Sequence, residues 1–295
     1  MVGLVRQRVL TFPVGVVWAL FLVVAVEIVI TYARLPPSEL YHVSGSGLAA
    51  GFGRALVFLN FPVALAALPL AVLVADQLRE NRIAFVIAIV GAGLCAVVFW
   101  PGVVDQANLD AKAINVLPAV GAGITFVLAG AVGVFALPAR VDVVLGVILI
   151  GLVVLAFPWI AADLGFFLDR VPLLGSLFLS GKVVAGHPAV HHGHHHGMDG
   201  FLLVVAALAT IPSLRRARSP MLAAVVTVYL GLEIAYGVAN LANDAWLEQV
   251  VKRGWTSVEI PSVLRPAVSL PWFGIVLATP FFAAVVRRRA ASRVL

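Results

Sequence analysis

Residues 201–214 read FLLVVAALATIPSL, and whether this stretch crosses a membrane decides the fold. It offers about 14 apolar-dominated residues, short of the ~17 a spanning helix usually needs. Counted as a span, it is the sixth of eight apolar segments: 10–32, 50–75, 83–100, 117–137, 143–162, 198–214, 220–240 and 270–286. With eight, one side carries Arg6, Arg8, Arg79, Arg82, Arg140, Arg215, Arg216, Arg218, Arg287, Arg288, Arg289 and Arg293 against only Asp76, Glu80 and Asp142. Excess Lys and Arg in short loops marks the cytoplasm. Dropping the sixth segment would carry Arg287–Arg289 across the membrane, which that rule disfavours. The expectation is an all-α, polytopic integral membrane protein of about eight transmembrane helices. Both termini are cytoplasmic, and residues 1–295 form a single transmembrane helical domain in the plasma membrane.

Composition agrees. The 295 residues are 62% hydrophobic and 12% charged, and the mean hydropathy is +1.07. A soluble domain carries roughly a quarter charged residues. The pI of about 10.1 does not indicate nucleic acid, because the basic residues sit in short clusters between apolar runs rather than along one soluble face. The basic N-terminus and the apolar stretch behind it run to about Ile30, too long for a cleavable signal core of roughly 7–15 residues. A retained first helix is expected. Cys95, the single cysteine, lies inside an apolar run and reads as packing.

Loop lengths divide by side. The inner connections, 76–82, 138–142 and 215–219, are short; the outer ones, 33–49, 101–116, 163–197 and 241–269, are long. Polar length gathered on one face places the working surface outside. Within the third outer loop, Val171 to Leu179 is apolar but too short to span, so segment 165–181 reads as an interfacial or re-entrant helix. Trp100, Trp159, Trp246, Trp255 and Trp272 fall at outer boundaries, where indole rings favour headgroups. Gly91-Ala-Gly93 and Gly121-Ala-Gly123 read as close helix contacts. Pro62, Pro69, Pro138 and Pro212 read as kinks or span ends.

Chemistry concentrates in one place. His187, His191, His192, His194, His195 and His196 are six of the seven histidines, within ten positions, and Met198-Asp199-Gly200 joins them directly to the sixth segment. Imidazole is the commonest protein metal ligand. In a helix, His187/His191, His191/His195 and His192/His196 would each share a face; Gly193 and Gly197 leave a loop wrapped around an ion as an equal alternative. Nitrogen ligation beside carboxylate suits a transition metal ion, zinc, copper or iron, rather than calcium or magnesium. A loose metal-scavenging tract, a pH-sensitive loop and an engineered insertion are the blander alternatives. A helix N-terminus carries partial positive charge, so a cation there needs carboxylates brought from elsewhere.

Candidates for those carboxylates lie in other outer segments. Glu233, Tyr236, Asn240 and Asp244 recur at offsets of 3, 7 and 11, one stripe of a helix, and Glu248 lies one turn on. The second outer loop holds Asp105, Asn108, Asp110 and Asn115, Asp163 closes the fifth span, and the first outer loop holds His42, Ser44 and Ser46. Glu27 and Glu233 fall inside spans, where acids are costly and face a cavity or a partner. Asp244, Asp105 and Glu233 are the candidate catalytic groups.

No family pattern carries over. The separated cytoplasmic histidine boxes of membrane di-iron desaturases are lacking. Asn240-x3-Asp244-x3-Glu248 has no second copy of the kind membrane prenyltransferases present. His187-x3-His191 with Ser44 and Asp244 is too dispersed to assign a ceramidase-type amidase. Three function classes remain. One is a metal-dependent, hydrolase-like enzyme acting at the outer leaflet on a lipid or amphipathic substrate. The second is a copper- or zinc-handling protein, and the third a non-catalytic membrane subunit or assembly factor.

Overall fold

The computed structural model describes residues 12–40, 42–105, 108–132, 143–173, 175, 179–190, 196–264 and 266–291. Helix α1 covers Phe12–Arg34. Helix α2 (Gly47–Phe58) passes through a π-helical turn, Leu59–Val63, into α3 (Ala64–Leu78), giving one 32-residue rod that is the most deeply buried of the long helices. Pro62 sits in the π turn, where its missing N–H is absorbed by the altered register. Helix α4 (Arg82–Ala96) starts where the Asn81 side chain accepts the Ala84 N–H at 3.2 Å, an N-cap. Helices α5 (Val116–Ala131) and α6 (Val143–Asp163) follow.

The segment that decided the count forms α7, His196–Thr210, closed by a 3₁₀ stretch, Ile211–Arg216. Its apolar tract is short, yet Gly197–Arg216 makes 20 helical residues, enough for the ~30 Å hydrocarbon thickness. Helix α8 (Pro220–Trp246) has Pro220 at its first position and is capped by Ser219, whose hydroxyl accepts the Leu222 N–H at 3.3 Å. A π turn, Leu247–Val251, extends it, so residues 241–251 of the expected fourth outer loop are helical. Helix α9 covers Leu270–Ala291. Among the described residues, seven helical segments are long and apolar enough to cross a membrane, and α6 adds 21 residues of strongly apolar helix.

Consecutive helices pack on one another (α1 on α2, α3 on α4, α4 on α5, α7 on α8, α8 on α9), and α3 also reaches α5, α7 and α8. The rod therefore lies at the centre. Two pairings rest on missing side chains. A Cβ at Gly200 would lie 2.4 Å from the Gly237 carbonyl oxygen, and one at Gly121 would lie 2.7 Å from that of Gly91; contact this close is the use of small residues between membrane helices. Gly93 and Gly123 face open space, so only one glycine of each sequence pair is a contact. Large apolar side chains such as Ile83, Val127, Leu277 and Phe281 point outward from α4, α5 and α9, faces suited to lipid.

One end of the bundle is arginine-rich. There the Arg218 N–H donates to Asp76 Oδ2 at 2.6 Å, Arg218 pairs with Glu80, and Arg215 Nε donates to the Ala290 carbonyl at 2.7 Å. The ends of α3, α7 and α9 thus meet.

The opposite end corrects two expectations. Leu179–Val184 (β1) and His187–Val190 (β2) form an antiparallel hairpin that packs on α6. Its two-residue turn, Ala185-Gly186, has φ of 51° and 78°, the positive values a tight hairpin turn needs. Leu179 is therefore strand rather than the end of an interfacial helix, and residues 171–173 form a turn. His187 is in a strand, so it does not share a helical face with His191. Pro188 is tolerated because a two-stranded sheet is all edge. At this end Trp100 and Trp255 are exposed, while Trp272 packs on Tyr236 with ring centroids 5.6 Å apart.

Candidate functional site

The histidine tract leads into the first turn of α7, and that turn sits on α8. A Cβ at Gly197 would lie 2.7 Å from Asp244 Oδ2, so the bare glycine lets the carboxylate rest against the helix start. An anion there is favoured by the unpaired N–H groups and the helix dipole. Asp244 is buried, and it lies at the place where the tract ends. The neighbouring helix thus brings one carboxylate, Asp244, to the start of α7.

The rest of the α8 stripe is buried with it. Glu233, Tyr236, Asn240 and Glu248 are each less than a tenth exposed. The Tyr236 hydroxyl donates to the Leu264 carbonyl at 3.0 Å, Asn240 Nδ2 donates to the Tyr236 carbonyl at 2.9 Å, and Glu248 pairs with Lys252. Asn243 Nδ2 donates to the Ile260 carbonyl at 3.0 Å and Trp246 Nε1 to the Val258 carbonyl at 2.8 Å. Three α8 side chains thus hold the extended segment 256–264 down as a strap beside the site.

Two residues join this group that sequence reasoning passed over. Asp199, in the first turn of α7, interacts electrostatically with Arg54 of α2 and with Asp244. The Arg54 guanidinium lies 5.8 Å over the Tyr32 ring, and its buried Nε has no hydrogen-bond partner. A basic residue inside the apolar run 50–75 was the available signal, since a charge there needs a partner.

Other candidates are placed elsewhere. Asp105 accepts from Lys112 Nζ at 3.1 Å. Glu233 lies eleven residues before Asp244 on α8, about 16 Å deeper at 1.5 Å per residue. The three candidate catalytic carboxylates therefore do not form one centre. Glu27 is buried in α1. Ser44 is engaged by Asp110, which accepts both its N–H (3.0 Å) and its hydroxyl. His187 stacks on Phe167, centroids 3.7 Å apart and planes 4° from parallel, with Nδ1 3.8 Å from Asp169. His191, His192, His194 and His195 lie outside the described residues, as does the side chain of His196. Among the described residues no group of three or more His, Cys, Asp or Glu is placed to hold a metal ion.

The loops at this end are joined to one another. Glu39 Oε2 accepts the Ala185 N–H at the hairpin turn, 2.7 Å away, and the Leu109 N–H donates to the His42 carbonyl at 2.8 Å. The sequence matches no protein-family model, and no characterised protein or solved structure is significantly similar to it.

Proposed function

We propose that the chain is an eight-span plasma-membrane protein with both termini cytoplasmic, holding a transition metal ion where the histidine tract meets α7 and α8. In this reading it is a hydrolase-like enzyme acting at the extracytoplasmic face on a lipid or amphipathic substrate. The observation that carries it is the seating of Asp244 against Gly197: a buried carboxylate stands at the start of the helix that directly follows the histidine tract in sequence. Histidines from the tract with Asp244 would make a nitrogen-and-carboxylate set suited to zinc, copper or iron. A bound ion would polarise a substrate oxygen or activate water. The orientation is supported by the arginine-rich end, whose short connections are tied to one another, and by the positive-inside rule.

Metal capture and delivery is the second reading. It is favoured by the separation of Glu233 from Asp244 and by the pairing of Asp105 with Lys112, which leave Asp244 and Asp199 as the carboxylates at the start of α7.

The test is elemental analysis of tag-free protein in detergent, beside a variant with His191, His192, His194, His195 and His196 changed to Ala. Near-stoichiometric metal lost in the variant is the expected result. Wild-type protein that stays empty after incubation with zinc, copper and iron would overturn both readings and leave a membrane subunit or assembly factor. Turnover of ester or amide lipids by the loaded protein, absent in Asp244→Asn, separates enzyme from carrier.

A further inference from the structure

The α8 stripe runs from Glu248 at the hairpin end to Glu233 deep in the bundle, and its inner terminus is chemically unfinished. Glu233 is 5% exposed, and neither of its carboxyl oxygens has a hydrogen-bond partner. Its neighbours are committed elsewhere: one turn further on, the Tyr229 hydroxyl donates to the Leu65 carbonyl at 2.9 Å. The central rod places its π turn at this depth, since Phe61 meets the Tyr236 ring (centroids 6.4 Å apart) and Leu65 meets Tyr229. In that same turn Asn60 is wholly buried with neither amide atom bonded. Single π turns inside α-helices gather at functional sites. Native proteins leave few buried polar groups unsatisfied, so two side chains in this condition at neighbouring depth call for an explanation.

No charge among the described residues compensates Glu233. Tyr229 and Tyr236 flank it on α8, and Cys95 of α4 lies near Tyr229. Helix α7 brings Asp199 only to the Tyr236 level. The charged residues of α9, Arg287–Arg289, are at its far end, and the rod's own, Arg54 and Asp76, lie well above and below. An ionised carboxylate in this setting is strongly disfavoured, so a proton is its natural ligand. On the hairpin side the stripe carries Tyr236 and Asn240; on the other side its one hydroxyl, that of Tyr229, is tied to the Leu65 carbonyl. Beside and beyond Tyr229, Leu230 and Val226 close the stripe in an apolar cluster.

We propose that Glu233 is a reversible proton-binding site at the blind end of a proton path along α8, filled and emptied from the hairpin end. A hydronium at the surface gives up its proton and an O–H bond forms on the Glu233 carboxyl; no other bond changes. The site requires no metal at the histidine tract.

The test is infrared spectroscopy of the full-length protein in lipid nanodiscs. The expected result is a protonated-carboxyl C=O band that is absent in Glu233→Gln, disappears reversibly in alkaline buffer and shifts on transfer to D₂O. In Asn240→Leu that shift is expected to be roughly tenfold slower, equivalent to about 1.4 kcal/mol of barrier. Should Glu233→Gln not fold, labelling of the wild type with a hydrophobic carbodiimide, mapped by mass spectrometry, assigns the protonated carboxyl instead. The absence of any Glu233 band or label would overturn the proposal, as would a band that never exchanges. Loss of the band on adding sodium at constant pH would make the ligand a metal ion, and wild-type exchange in Asn240→Leu would overturn the path.

Discussion

At the residue scale, Asp244 rests against the start of α7, and in the proposed reading it would also offer charge to a metal ion at the tract. The two roles are separable. Asp244→Asn keeps the shape but removes the charge, and should cost about 0.3–1 kcal/mol of stability through the helix-dipole interaction. Asp244→Ala also removes a buried side chain packed against Gly197 and should cost about 1–3 kcal/mol. Thermal unfolding in detergent ranks the pair, while metal content should fall in both. A variant that unfolds like wild type yet loses metal would assign Asp244 to the ion alone. The stripe that contains Asp244 was legible in the sequence because four polar residues at helical spacing in an apolar segment leave little alternative. Arg54 and Asp199 were not, because each is a single charge whose partner lies about 145 positions away in sequence and meets it only through packing.

At the scale of elements, the described residues of all eight apolar segments form helices, and hydrophobic length alone located them. The marginal one gained its length from Gly197–Gly200 and from a closing 3₁₀ stretch that hydropathy undervalues. The hairpin was missed for a physical reason: its strands are short, one holds a proline, and the turn depends on Ala185 adopting a positive φ that alanine disfavours. The glycines were legible as a class but not individually. Gly200→Ala should cost about 1–3 kcal/mol, since the new methyl meets a fixed backbone carbonyl. Gly123→Ala, with open space around it, should change stability by less than about 0.5 kcal/mol. Equal shifts in unfolding temperature would mean that α7 and α8 do not cross as described.

For the whole molecule, the two ends are secured by different means. The arginine-rich end is held by short connections whose side chains cap neighbouring helices. The hairpin end is held across long loops, Ser44 to Asp110 and Glu39 to Ala185, and by the strap over α8. The strap has no regular secondary structure of its own, so its order is borrowed from Tyr236, Asn243 and Trp246. Removing the three donors together (Tyr236→Phe, Asn243→Ala, Trp246→Phe) should open it by about 0.5–1.5 kcal/mol per hydrogen bond. Limited proteolysis within 256–264 should quicken accordingly while the helices stay intact; an unchanged cleavage rate would show that packing of Val263 and Leu264 suffices.

The closure of α8 beyond Glu233 by Leu230 and Val226 has an electrical meaning. A half rich in acids and amides and a half whose hydroxyls, Thr227 and Tyr229, are tied to backbone carbonyls give the helix a lopsided dielectric profile. A full crossing of one elementary charge is worth about 2.3 kcal/mol per 100 mV, but a charge entering the polar half feels only part of that drop and must return the way it came. With the proposed path blind at Glu233, such a charge would add to the membrane's capacitance and carry no steady current.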